Sequence, residues 1–290
     1  LRRALWLALP VVSACANGPS PETLVDRLTV LTIDAPPEVR PGESIAARSL
    51  IVEPKDARWS AISWMCTRGQ DGCAELAWLE TQDGTADDTV WPGLVAVEGQ
   101  GIDWIEQDAV ITPFLEEIAS DEPLPLIQVV TLACEPGICD VVEGILDGSS
   151  TTEDQAALAD PLDLLEGLPF AGVALTLRTL SVSTRDDDTR HQNPTVTDCS
   201  PLKGSWETQA GGSINVECTW ESPNTREIDA FGYTTAGGWE GQNAQDVYDP
   251  GVFTYRWYAP DKAQADVPLW IAVTDGEGGL ALWEGSATAQ

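Results

Sequence analysis

The chain has 290 residues, 43% of them hydrophobic, with twelve Trp and a formal charge of −32. That many apolar and aromatic side chains build buried cores, which argues against an intrinsically disordered protein, and the length suffices for about two domains. With 15 Lys and Arg against 47 Asp and Glu, the chain lacks the cationic surface that phosphate backbones and anionic headgroups require, so no nucleic-acid partner is expected.

The chain opens on LRRALWLALPVVSAC. Arg2 and Arg3 precede an apolar run from Ala4 to Val12, far short of the roughly 20 residues that cross a bilayer. A basic start, a short apolar stretch and small residues after it make an export signal. Val12-Ser13-Ala14-Cys15 resembles the lipobox of bacterial lipoproteins. The resemblance implies that residues 1–14 are removed, that Cys15 is lipidated as the new first residue, and, with Ala16 rather than Asp behind it, that the destination is the outer membrane or cell surface. The plainer alternative is a secretory signal with an incidental cysteine. Residues 15–23, including NGPSPE, read as a tether, and several acyl chains on Cys15 would anchor it where a single chain holds only marginally. Because residues 1–14 carry two Arg and no acid, the remainder carries −34.

Residues 24–185 read as the first domain. VDRLTVLTIDA alternates as a strand, PPEVRPGE breaks it, and SIAARSLIVEP and SAISWMC supply two more strands. This order resembles an immunoglobulin-like sandwich, although the Cys…Trp…Cys spacing of antibody domains is missing. Residues 74–125 read as an insertion, with the acidic loop ETQDGTADDT and a helical candidate, IDWIEQDAVITPFLEEI, in which Thr112 and Pro113 suit the N-cap and first helical positions. PLIQVVTLAC returns to strand. Thr152 with Gln155 fits a capping box, and short helices are expected over about 152–167, ended by Gly167. FAGVALTLRTLSVSTR then closes the domain.

The polar stretch RDDDTRHQNP places a linker at 186–194. Residues 195–290 read as an all-β second domain, with strands SINVECTW, GVFTYRWYAP and VPLWIAVT. In the last, Leu269, Ile271 and Val273 share one side, and DGEGG turns the chain back into a final strand. The expected fold is mainly β: two immunoglobulin-like β-sandwich domains, the first with a partly helical insertion. The lipobox, APPEVRPGE, the Trp-Cys strand, ADPLDLLEGLP, HQNP and PLWIAVTDGEGG together are similar to a group of uncharacterised bacterial surface lipoproteins. That resemblance implies the two-domain layout and carries no activity.

Besides Cys15 there are six cysteines: Cys66, Cys73, Cys134, Cys139, Cys199 and Cys218. An exported setting favours disulfides. Six allow fifteen pairings; proximity suggests Cys66–Cys73, Cys134–Cys139 and Cys199–Cys218. A zinc site of Cys66, Cys73, Cys134 and Cys139 would need wider spacings than zinc pairs use. His191 is the one histidine; no G-x-S-x-G elbow accompanies it, and it reads as a residue that positions the linker.

No catalytic residue and no cofactor is assigned, and an enzyme is not expected, although 47 acids offer many carboxylate pairs of the kind glycosidases use. Calcium is the one ion the composition leaves room for, at Asp186, Asp187 and Asp188 or at Asp83, Asp87 and Asp88, set against a reading of both runs as solvated loops. Trp239, in the glycine-rich TTAGGWEGQN, is a candidate to stack on a sugar ring, set against burial. The sequence therefore points to a membrane-anchored, non-catalytic surface module with a protein or glycan partner. A carbohydrate-binding or carbohydrate-active protein and a calcium-stabilised adhesin are the alternatives.

Overall fold

The structure is a computed structural model, and it describes residues 24–40, 43–68, 95–110, 126–135, 173–183, 189–223, 228–240, 251–276 and 278–290. Its strands fall into two groups. The first comprises β1 (Thr29–Asp34), β2 (Glu38–Val39), β3 (Ser44–Val52), β4 (Arg58–Arg68), β5 (Val95–Gln100), β6 (Ile102–Val110), β7 (Leu126–Cys134) and β8 (Val173–Val182). They form a three-stranded sheet, β1-β3-β6, facing a five-stranded sheet, β2-β8-β7-β4-β5.

The second group comprises β9 (Thr195–Pro201), β10 (Glu207–Thr208), β11 (Ser213–Glu221), β12 (Asp229–Thr234), β13 (Gly238–Trp239), β14 (Gly251–Tyr258), β15 (Gln264–Thr274) and β16 (Leu280–Ala289). Its sheets are β10-β16-β15-β12 and β13-β14-β11-β9. The described protein is thus mainly β, arranged as two sandwiches that share one closing device. A two-residue strand changes sheets and pairs in parallel with the last strand of its group: β2 with β8, and β10 with β16.

Residues 102–110 are strand, not helix. Ile102 and Ile105 suit a helical spacing, but burial runs with period two: Ile105 and Gln107 are inside, Glu106 and Asp108 outside. Nine-residue pairing with β3 settles the conformation. The stretch 95–110, expected inside an insertion, instead gives one strand to each sheet. The chain switches sheets at Gly101, whose φ of 65° favours glycine and where a Cβ would lie 2.6 Å from Asp56 Oδ1. The remainder of the expected helix, the short helices about 152–167, Cys15, Cys73, Cys139, Asp83, Asp87, Asp88, Asp186, Asp187 and Asp188 lie outside the described residues.

A polar layer divides the first core. Ile45, Ala47, Met65, Ile127 and Val129 pack on one side of it, and Ile51, Trp59, Ala61, Ile105 and Ala133 on the other. Between them Ser63 Oγ lies 2.6 Å from Gln107 Oε1 and 2.9 Å from Thr131 Oγ1, and Ser49 Oγ lies 2.7 Å from Thr131 Oγ1. All four side chains are buried. Two of these bonds cross from sheet to sheet, so they fix the offset of one sheet on the other as well as satisfying the groups they bury.

The second core is built on tryptophan. Trp220, Trp239 and Trp257 are fully buried. Gly251 leaves the space Trp220 fills, since a Cβ there would lie 1.6 Å from Nε1, and Gly232 does the same for Trp239. Cys199 and Cys218 face each other in register on β9 and β11 and are disulfide-bonded. Cys134 is disulfide-bonded too, while Cys66, Cys73 and Cys139 lie outside the described side chains.

Candidate functional site at the domain junction

The feature of the described surface that gathers the most chemistry is the contact between the sandwiches. β3 alternates at first, then turns continuous: Ser49, Leu50, Ile51 and Val52 are all buried. Ile51 faces the first core, whereas Leu50 and Val52 face the second sandwich. β15 repeats the pattern. Leu269, Ile271 and Val273 face the second core, while Trp270 joins Leu50, Val52 and Val25, with Leu31, Trp104, Tyr233 and Leu282 around them. A strand buried on both faces reads as an unbroken apolar run, because each side chain direction has a separate core to enter.

The rim of this contact is polar. Trp104 Nε1 donates to Glu284 Oε1 at 3.1 Å, and the Arg48 guanidinium lies 4.8 Å above the Trp104 ring. Arg48 also pairs with Asp34 at 2.6 Å, and that carboxylate raises its pKa. Arg48 and Glu284 are exposed, so these ion-pair and rim contacts contribute little each.

Beside the apolar cluster lies a buried polar knot. Arg178, on β8, points its Nη2 at three acceptors: Ala35 O at 2.8 Å, Asn193 Oδ1 at 3.0 Å and Gly278 O at 2.9 Å. These belong in turn to the first sandwich, the connecting segment and the second sandwich. Nη2 has two hydrogens for three acceptors, so at least one bond is shared. Burial pulls the guanidinium down to about 10, with the charges of Asp34 and Asp275 opposing. It therefore stays cationic at neutral pH.

Asn193 ties the same parts again, donating from Nδ2 to Ala35 O at 3.0 Å and accepting from Leu280 N–H at 3.0 Å. His191 donates its backbone N–H to Glu38 Oε2 at 2.8 Å, and its ring Nε2 lies 2.8 Å from Asp275 Oδ2. Asp275 Oδ1 accepts the Gly279 N–H at 2.8 Å. A Cβ at 279 would lie 2.2 Å from Asp275 Oδ2, so the turn between β15 and β16 closes on its own carboxylate only with glycine there. At the edge, Arg190 bonds Glu43 and holds that carboxyl below its ordinary range.

The arrangement joins the first sandwich, the connecting segment and the second sandwich. His191 has 11% of its side chain open, and the Asp275 side chain is sealed. Arg178, Asn193 and Asp275 carry no sequence motif. The legible signs were the unbroken runs SLIV and LWIAV, each too apolar for a strand with one wet face.

Trp239 is not a surface platform. It is fully buried, donates Nε1 to Tyr233 O at 2.9 Å and packs edge-on to Tyr255 at 5.7 Å. Gly237, at φ 75°, allows the turn that sends it inward, since a Cβ there would strike the Tyr258 carbonyl at 2.1 Å. A different aromatic pair, Trp206 and Trp283, stacks at 5.4 Å and is only partly buried. Among the described residues, no group of three His, Cys, Asp or Glu could hold a metal ion, and no helix is long and apolar enough to cross a membrane.

No protein-family model matches the chain, and no curated protein does. Among solved structures, the chain is similar to red sea bream transglutaminase, at 8% identity and TM-score 0.28, over 90% of this chain and 31% of that one. It is also similar to the N-terminal Ig1-2 module of the Drosophila receptor protein tyrosine phosphatase DLAR, at 10% identity and TM-score 0.26, over 89% of this chain and 98% of that one. The chain thus spans about a third of the transglutaminase's length and nearly all of the module's.

Proposed function

We propose that the protein is an exported surface lipoprotein of two immunoglobulin-like domains, held to a membrane through Cys15 and acting without catalysis as a rigid module that carries a binding surface away from the bilayer. The junction is what supports a rigid module. A cluster centred on Leu50, Val52 and Trp270 and a buried cation shared by three chain segments give the two sandwiches little freedom to swing. The lipobox VSAC supports the anchor, and it is shared with the uncharacterised bacterial surface lipoproteins that the sequence resembles.

The test is the intact mass and fractionation of native protein. The expected mass is that of residues 15–290 plus acyl groups, found in the membrane fraction and shifted to the soluble fraction by Cys15→Ser. An unacylated native mass, or a membrane-bound Cys15→Ser variant, would overturn the anchor. A second reading, saccharide binding, rests on Trp206 and Trp283, a stacked indole pair that is only partly buried.

A further inference from the structure

The segment before β1 does not belong to the first sandwich alone. Leu24 forms a parallel bridge with Thr234, at the end of β12 in the second sandwich. Val25 donates its backbone N–H to Thr234 O at 2.8 Å, and its buried side chain sits in the junction cluster with Leu50, Val52 and Trp270. The receiving end is fixed: Thr234 is fully buried, and its hydroxyl lies 2.9 Å from both Ala236 O and Pro268 O. Four residues later the same chain enters β1, which pairs with β3.

We propose that Leu24–Val25 is a strap that couples the two sandwiches, and that the N-terminal chain consequently leaves the molecule at its waist rather than at the far end of the first sandwich. Three kinds of contact meet in these two residues: a backbone bond to one sandwich, a side chain wedged between both, and covalent continuity with the other. Leu24 is 38% exposed. Withdrawing the strap removes one wall of the apolar cluster and opens Leu50, Val52 and Trp270 to water together.

The consequence for anchoring rests on the lipidation of Cys15. Leu24 lies nine residue steps after Cys15, and at about 3.3–3.6 Å per step they reach roughly 30 Å at most. An anchor on that tether holds Leu24, and with it the junction between the sandwiches, within one tether length of the bilayer. An exit at one end would instead raise one sandwich above the other. The net charge of −34 from residue 15 onward gives the body no attraction to anionic lipid, which leaves the strap and tether to hold it at the bilayer.

The strap is tested first without lipid, on the chain from residue 15 with Cys15→Ser. Spin labels at Leu177→Cys and Val252→Cys, both about half exposed and one on each sandwich, report the distance between the sandwiches. A narrow distribution is expected, at least doubling in width in Val25→Asp, which puts a charge into the apolar cluster, and in Val25→Pro, which removes the N–H donated to Thr234 and replaces the side chain with a ring that fixes φ. Val25→Ala gives the reading should either fail to fold. Unchanged widths in the folded variants would overturn the strap.

In vesicles carrying a lipid dye, native acylated protein labelled at either site should show similar energy transfer. A severalfold difference between the two sites would overturn the waist exit. Native protein without acyl groups refutes the anchor and leaves the strap to the first measurement.

Discussion

Trp270→Ala separates the junction from the second core. Trp270 is 2% exposed, yet it packs against Val25, Leu50 and Val52 instead of the core that its neighbours Leu269 and Ile271 enter. A buried indole removes about 200 Å² from water, which at about 25 cal/mol per Å² is ~5 kcal/mol. A compact unfolded chain already hides part of that area, which brings the figure to ~3–4 kcal/mol, within the usual range for Trp→Ala in cores.

That loss falls on the coupling of the sandwiches more than on either sandwich alone. The assay is differential scanning calorimetry with disulfides intact. The parent is expected to unfold in one joint transition, which Trp270→Ala splits in two. Trp257→Ala, which takes the same ring from the centre of the second core, should lower the joint transition without splitting it. A single transition in Trp270→Ala, displaced as in Trp257→Ala, would refute the reasoning.

Gly251→Ala sets a Cβ 1.6 Å from Trp220 Nε1, in a core with no room for a methylene; overpacking of this kind costs about 1–3 kcal/mol. A thermal midpoint equal to the parent's would show that β14 can move aside. Glu43 gives a pH prediction. Arg190 holds its folded pKa below the ordinary 4.5, so the stability it contributes is fully present above that value and is lost as the pH falls through the lower, folded one. Its carboxylate is partly exposed, so the effect is small. Glu43→Gln should lower the neutral plateau of the midpoint-versus-pH curve slightly and flatten that acidic limb, and an identical acidic limb would count against the pair.

What the sequence determined by itself follows from local rules. Alternation placed β1, and the shared side of Leu269, Ile271 and Val273 placed β15, because side chains of a strand repeat every two residues. Proximity of Cys199 and Cys218 gave a bond that β9 and β11 set in register. Residues 102–110 misled because isoleucines three apart fit one face of a helix, whereas in the strand they point to opposite faces, and only the partner strand β3 decides between the two. For Trp239 the structure decides for burial over sugar stacking, because the nearby glycines are the space into which an indole and a carbonyl fit.

The junction belonged wholly to the tertiary structure. Nothing local distinguishes Trp270 from a core tryptophan, or marks Arg178, Asn193 and Asp275 as partners across a hundred residues. Which face of a strand meets which layer depends on how two finished sandwiches dock. A run such as SLIV states that both faces are dry but not what dries them. The bond from Val25 to Thr234, 209 positions along the chain, exists only after both sandwiches have formed.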